Sequence, residues 1–260
     1  MTGESRPLGV NCVTAMPSQQ ENPIELQDRI ISSKGWLIAS KIRPVGISLY
    51  VFNQNYNELK QFLVAYAKPD VALEISRVGN RKKLDAFMME VTRRLHNYLA
   101  SAMSLVDHSF LLVRALYKGT AFEKEYHIER NRRFAESPQF QFVQQLRNYA
   151  LHESIIDAVA ITSFGRDKPL DTSIKLHLET LRAWKGWKGR AREYLKKMPE
   201  DVKLLDLIES YTAEVKGFYD WINIRQQQIH KRDFDKLKAL QSSYRQLVAG
   251  DLVGDELSES

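Results

Sequence analysis

Cysteine is almost absent from this 260-residue sequence, which contains only Cys12. One cysteine cannot form an intramolecular disulfide, so a reducing compartment is expected. Metal sites built from several cysteines are excluded as well. The chain also has no run of 18 apolar residues, the length that a transmembrane helix needs. Its densest apolar stretch, Phe110 to Tyr117, is interrupted by Arg114. The first twenty residues also lack the basic start and apolar block of a secretory signal. We therefore expect a cytoplasmic protein without membrane association.

Motifs for nucleotide, acyl-transfer and zinc chemistry are also missing. The chain has no GxxxxGK[ST], no GxGxxG after a strand, no GxSxG and no HExxH. Five histidines are scattered singly along the chain: His96, His108, His127, His177 and His230. Each of these is more typical of a surface or core residue than of a metal ligand. We therefore predict no metal and no cofactor.

Positive charge is concentrated in one stretch. The net charge is +6 at pH 7, and residues 182–197 contain seven basic residues against Glu193 alone. The basic residues are Arg182, Lys185, Lys188, Arg190, Arg192, Lys196 and Lys197. Such a strip can bind a polyanion such as RNA, or it can pair with a second copy of the chain. The alternative is the solvated face of an amphipathic helix that Trp184 and Trp187 anchor.

Apolar residues recur at helical spacing through most of the chain, which predicts a mainly α fold. The predicted helices cover 47–66, about 80–117, a segment starting at Ser137-Pro138, a stripe from Trp184 to Met198, a stripe from Leu204 to Ile222, and about 232–248. The apolar period changes to two within residues 154–180, which predicts an inserted β-hairpin. Short links between the helices favour an antiparallel helical bundle.

The other segments are assigned from composition. Residues 1–22 are predicted to be a flexible leader, and residues 251–260 an acidic tail. Residues 23–46 are compatible with short strands or with a helix that turns at Lys34-Gly35. Pro44-Val45-Gly46 is expected to break the chain. One helical domain over residues 47–250 then contains the hairpin.

One polar cluster lies on the helix that starts at Ser137. Arg147, Asn148 and His152 flank an apolar stripe centred on Leu146. Because each helical residue turns about 100°, Asn148 and His152 share one face. Imidazole exchanges protons near neutral pH, and guanidinium holds phosphate oxygens. The cluster is therefore the part of the sequence best suited to chemistry.

The spacing Arg147-Asn148-x3-His152 resembles the Rx4-6H motif of the HEPN superfamily. The following hairpin, the Trp184-Lys-Gly-Trp187 stretch and the helix with Phe218-Tyr219-Asp220-Trp221 are similar to uncharacterised bacterial HEPN-like proteins. The resemblance covers about residues 47–230. It implies an HEPN-like antiparallel bundle, from which the hairpin is a departure. It also implies metal-independent RNA cleavage in a cleft shared by the two subunits of a homodimer.

The resemblance implies roles for individual residues. Arg147 and His152 are expected to be catalytic, with Asn148 assisting. Such proteins act as toxins or antiviral defence effectors, and their substrate is RNA. The resemblance therefore implies RNA as a partner of this chain, and a neutralising partner protein is possible. Three arginines just before the motif helix are predicted to bind RNA phosphates near His152. They are Arg130, Arg132 and Arg133.

Other functions are compatible with the same residues. An HEPN-like bundle can lack catalysis and serve as an interaction protein that dimerises or binds a partner chain. It can also bind a nucleotide or RNA without cleaving it. An arginine and a histidine on a helix surface are usually solvent-facing, and a charged histidine near a helix C-terminus is favoured by the helix dipole.

Overall fold

The computed structural model describes residues 22–165, 168–200 and 202–258. Within them the fold is mainly α with one antiparallel two-stranded sheet, as predicted. The helices are α1 (Pro23–Ser32), α2 (Lys34–Tyr66), α3 (Pro69–Ser76), α4 (Arg81–Leu116), α5 (Ala121–Arg130), α6 (Pro138–His152), α7 (Leu178–Ala183), α8 (Gly189–Lys197), α9 (Leu204–Ile229) and α10 (Lys231–Ser258). The strands are β1 (Ala158–Gly165) and β2 (Lys168–Leu176). Apart from Asn22, the predicted leader lies outside the described residues.

The chain divides into two compact units. The larger comprises residues 37–231 and contains the hairpin and every candidate site residue. The smaller comprises the described residues 22–36 together with 232–258. Within the smaller unit, Lys34 pairs with Asp233 at 3.1 Å between Nζ and Oδ2. Gly35 lies so close to α10 that an added Cβ would collide with the Asp233 carbonyl.

The predicted chain break at Pro44-Val45-Gly46 is wrong. Residues 23–46 are helical apart from the junction between α1 and α2, and Pro44 lies inside α2. Proline cannot donate the hydrogen bond that the carbonyl of Ser40 would otherwise receive. Ser40 is exposed, so water can satisfy that carbonyl. The buried side chains of Ile38 and Val45 anchor the helix on either side, and tertiary packing overrides the local signal.

Three long helices, α2, α4 and α9, supply much of the core of the larger unit. Tyr98 of α4 stacks on Phe52 of α2, with ring centroids 5.3 Å apart. Its hydroxyl is 2.8 Å from that of Thr212 in α9. Nearby, the hydroxyls of Ser109 and Tyr219 are 2.6 Å apart. Burial raises the pKa of both tyrosines, so both stay neutral in these hydrogen bonds.

One described helix is long and apolar enough to cross a membrane by length and composition. It is α4 with the 3-10 turn before it, Val78–Leu116. Of its most apolar 18 residues 39% are buried, and Val91, Leu95 and Leu105 of the helix lie in the core. Arg94 of the same helix pairs with Glu58, with Nη1 and Oε2 2.8 Å apart. A single such helix is weak evidence for a membrane span, because the core helix of a soluble protein passes the same test.

The predicted hairpin is confirmed. Thr162 of β1 pairs with Thr172 of β2 in an antiparallel register. Ile174 and Leu176 are buried, which accounts for the alternation in the sequence. Thr172 Oγ1 donates a hydrogen bond to the carbonyl of Ala67 at 2.9 Å. Because an isolated two-stranded hairpin is only marginally stable, these contacts with the helical unit stabilise it.

The predicted helical stripe from Trp184 to Met198 is wrong over its first residues. α7 ends at Ala183 and α8 begins at Gly189, so Trp184–Lys188 form a loop. Gly189 has a φ of +51°, a left-handed conformation that favours glycine. Gly186 lies against the Trp184 ring and leaves no space for a side chain. The periodicity also misses α5 and the π-helical segment that follows it over Asn131–Ala135.

Candidate functional site

Helix α6 carries the predicted motif and starts where the sequence predicts. Pro138 is its first residue, and Ser137 Oγ accepts a hydrogen bond from the Phe140 N–H at 3.3 Å. This cap satisfies one of the backbone donors that a helix start leaves unpaired. The buried stripe of α6 contains Phe142, Leu146 and Tyr149. Packing of this stripe fixes the direction in which the polar residues project.

A row of polar residues runs along the outer side of α6. Its members are Gln141, Gln145, Asn148 and His152. The intervals of four, three and four keep them within about 60° around the helix axis. Asn148 and His152 are exposed, and Cβ atoms four residues apart on a helix lie about 5–6 Å apart. Asn148 and His152 can therefore contact the same bound group.

Arg147 lies beside this row and is joined to it through Asn148. Its Nη1 donates a hydrogen bond to Asn148 Oδ1 at 3.3 Å. The side chain is half-buried, and its Nε is buried with no hydrogen-bond partner among the described residues. Arg147 and His152 project about 140° apart around the axis, because they are five residues apart. Within one chain, Asn148 is therefore next to Arg147 and on the same face as His152. Arg147 and His152 themselves project in different directions.

The three arginines predicted to lie near His152 are at the other end of α6. Arg130 ends α5, and Arg132 and Arg133 belong to the π-helical segment that precedes α6. Since α6 has 15 residues, about 20 Å of helix separates them from His152. The structure therefore does not place them beside the motif histidine.

Two of these arginines are also engaged by one carboxylate. Glu129 Oε1 lies 2.7 Å from Arg132 Nη2 and 2.5 Å from Arg133 Nε. Hydrogen bonds from the two guanidinium groups lower the pKa of Glu129 to about 2, and the bond from Arg132 has the larger effect. Glu129 therefore stays charged at neutral pH and offsets part of their positive charge. A phosphate would have to compete with this ion pair.

The loop Trp184–Lys188 packs along α6 and is fixed to it at two points. Gln145 accepts a hydrogen bond from the Lys188 N–H at 2.8 Å and donates one to the Lys188 carbonyl at 3.2 Å. Trp184 Nε1 donates to Glu153 Oε2 at 3.2 Å. Glu153 directly follows His152, so the loop reaches the histidine end of α6. Sequence reasoning missed Gln145, because a polar, partly exposed glutamine on a helix carries no signal of a partner 43 residues away.

A cleft of about 800 Å³ opens on another side of α6, between α4 and the segment that leads into β1. Its walls include Met88, His96 and Asn97 of α4, together with Ala150 and Ile155. None of the predicted site residues lines it. Ala150 is about 60° from Arg147 around the α6 axis, so the cleft lies on the arginine side of the helix. No motif indicates this cleft, because its walls are about 60 residues apart in sequence.

Replacing Gly186 with alanine is expected to loosen the loop from α6. The added Cβ would overlap the Trp184 ring, so the ring must move and lose its hydrogen bond to Glu153. Overpacking of this kind costs roughly 1–3 kcal/mol of unfolding free energy. Urea denaturation measures the loss. Gly79→Ala is the matched control, since nothing lies within 4 Å of a Cβ there, and equal stability of the two variants would contradict the prediction.

No metal centre is evident in the described part of the chain. There, no group of three or more histidine, cysteine, aspartate or glutamate side chains could hold a metal ion. No family model matches the chain, and searches of the curated proteins and of the solved structures return no match.

Proposed function

We propose that this protein is an HEPN-like endoribonuclease that cleaves RNA without a metal ion, as a homodimer in the cytoplasm. The observation that carries the proposal is the exposed pair Asn148 and His152 at the end of α6, with Arg147 hydrogen-bonded to Asn148. A proton-transfer group, an amide and a guanidinium are thereby held on one well-packed helix. Proton transfer and stabilisation of charge on the phosphate are the contributions that phosphodiester cleavage uses when RNA supplies its own nucleophile.

The reaction uses the 2′-hydroxyl of RNA. Its oxygen attacks the adjacent phosphorus, and the bond from phosphorus to the 5′-oxygen breaks. One proton leaves the 2′-hydroxyl and one is added to the departing 5′-oxygen, which gives a 2′,3′-cyclic phosphate and a 5′-hydroxyl. His152 transfers a proton in this step. Arg147 stabilises the charge on the phosphate oxygens, and Asn148 orients the phosphate.

A second copy of the chain supplies what one copy lacks. The reaction needs one group to remove a proton and another to deliver one, and each chain has one histidine in the motif. In a two-fold dimer with the α6 helices facing each other, the two His152 side chains can take these two roles. Arg147 of one copy can then approach His152 of the other, although the two project about 140° apart on one helix.

Cleavage of a labelled RNA pool in EDTA tests the proposal. The full-length protein is expected to cut RNA and to leave 2′,3′-cyclic phosphate ends. The same sequences made entirely of 2′-deoxynucleotides should stay intact, since they lack the nucleophile. Cleavage of both pools would indicate a different nuclease mechanism. Cleavage of neither would favour an interaction protein and contradict the proposal.

A further inference from the structure

A basic recess lies between α7, the loop Trp184–Lys188 and α8. Its volume is about 440 Å³. Four of its lining side chains are cationic, Arg182, Lys185, Arg192 and Lys196, and Trp184 and Trp187 are aromatic. Trp187 is buried, whereas Trp184 is half-buried. The recess thus combines positive charge with a partly exposed aromatic ring.

The cations of the recess fall into two groups. Arg182 donates hydrogen bonds to the carbonyls of Leu195 and Met198 and pairs with Glu200, and Arg192 donates to the carbonyl of Trp187, so the fold holds both guanidinium groups in place. Lys185 and Lys196 are exposed, as is Lys188 next to the recess. Across the described ranges, none of these three lysines forms an ion pair with a carboxylate. Their charge is therefore available to an anionic partner.

The positive charge continues along α6 from one end to the other. The recess adjoins the histidine end through the hydrogen bond between Trp184 and Glu153. Lys188 is held beside the middle of the helix by Gln145. Arg190 donates to the carbonyl of Glu136, just before the helix starts. A small anion would occupy one of these points, but only an extended polyanion matches a row about 20 Å long.

We propose that the recess and this row of cations bind the backbone of a single-stranded nucleic acid that passes the His152 end of α6. Cations spaced along a groove follow the phosphates, and aromatic rings stack on bases of any sequence. An unpaired base can enter the recess and lie against Trp184, whereas a base within a duplex cannot. The choice of nucleic acid as the polyanion rests on the proposed ribonuclease function.

The exposed surface favours a nucleic acid over a membrane. Membrane-surface binding combines cations with apolar anchors that enter the lipid. Among the described residues, no large exposed hydrophobic side chain lies between 182 and 197. The lysine side chains are also not needed to hold the loop in place, because Gln145 binds only the backbone of Lys188. Charge reversal of Lys185 and Lys188 is therefore expected to leave the fold intact.

Binding of a labelled single-stranded DNA oligonucleotide tests the inference. The 2′-deoxy backbone keeps binding separate from the proposed cleavage. Wild type and the double variant Lys185→Glu/Lys188→Glu are compared by fluorescence anisotropy over a range of salt concentrations. Removing two phosphate contacts should reduce the slope of log K against log salt by about 1.4. The matched control is Lys41→Glu/Lys82→Glu, which reverses two exposed lysines on α2 and α4 and should bind as wild type does.

The outcomes separate this inference from the proposed function. Equal binding by wild type and Lys185→Glu/Lys188→Glu, with circular dichroism showing both folded, would overturn the inference. So would an equal loss in the control variant, or binding to phosphatidylserine vesicles in place of the oligonucleotide. Binding that depends on these lysines without any cleavage of RNA would support the inference and reject the ribonuclease. RNA cleavage at the wild-type rate by a Lys185→Glu/Lys188→Glu variant that has not lost affinity would support the ribonuclease and reject the inference.

Discussion

Replacing His152 with alanine is expected to slow RNA cleavage by about 10²–10⁴-fold, the usual contribution of general acid–base catalysis. The variant should fold normally, because His152 is exposed and its side chain makes no hydrogen bond within the described residues. Single-turnover measurement of the 2′,3′-cyclic phosphate product gives the rate of the chemical step. The oligonucleotide affinity should change little, since the charge beside α6 comes from lysines and arginines. The expected loss is therefore in rate rather than in binding.

Gln144→Ala is the matched control for this experiment. Gln144 is exposed on the same helix, two turns before His152 and one turn before Asn148, and has no assigned role in the reaction. Its replacement tests whether any surface change on α6 slows the reaction. If His152→Ala and Gln144→Ala both cleave at the wild-type rate, the activity does not depend on the motif histidine. The proposed mechanism would then be wrong even if the protein cuts RNA.

The sequence predicts α6 well because its signals are local. Ser137 and Pro138 are a cap and a first helical residue, and the apolar spacing after them fixes which side is buried. The exposed positions of Asn148 and His152 follow from the same 100° rotation. At Pro44 the local signal is misleading, because proline favours the end of a helix and yet α2 continues through it. Burial of Ile38 and Val45 on either side of it decides the outcome, and that packing is not readable from residues 38–45 alone.

The surroundings of the motif could not be predicted for a related reason. Nearness in sequence places Arg130, Arg132 and Arg133 before α6, and a helix then carries His152 about 20 Å away. The loop Trp184–Lys188, by contrast, is some 30 residues after His152 and reaches the same end of α6. Helical spacing of Trp184 and Trp187 suggests a helix, although the two residues lie in this loop. Long-range packing therefore decides which cations flank the histidine.

Trp187→Ala is expected to cost about 3–5 kcal/mol of unfolding free energy, as is typical when a buried tryptophan is truncated. Trp187 is only 2% exposed. Its ring stacks on Phe142 of α6, with centroids 5.2 Å apart. Its Nε1 donates to the carbonyl of Leu181 in α7 at 2.6 Å. The variant loses contacts with both helices at once, and urea denaturation followed by circular dichroism measures the loss.

Trp187→Phe separates the two contributions of this side chain. Phenylalanine keeps a ring against Phe142 but removes the indole hydrogen bond to the Leu181 carbonyl, which still accepts one from the Trp184 N–H at 3.2 Å. Losing one such bond should cost about 0.5–1.5 kcal/mol. The order wild type, then Trp187→Phe, then Trp187→Ala is therefore expected in stability. If Trp187→Ala is as stable as wild type, the loop does not pack on α6 in the way that its contacts require. Lys185 and Lys188 would then have no fixed position beside His152, and the row of cations proposed to bind nucleic acid would lose its structural basis.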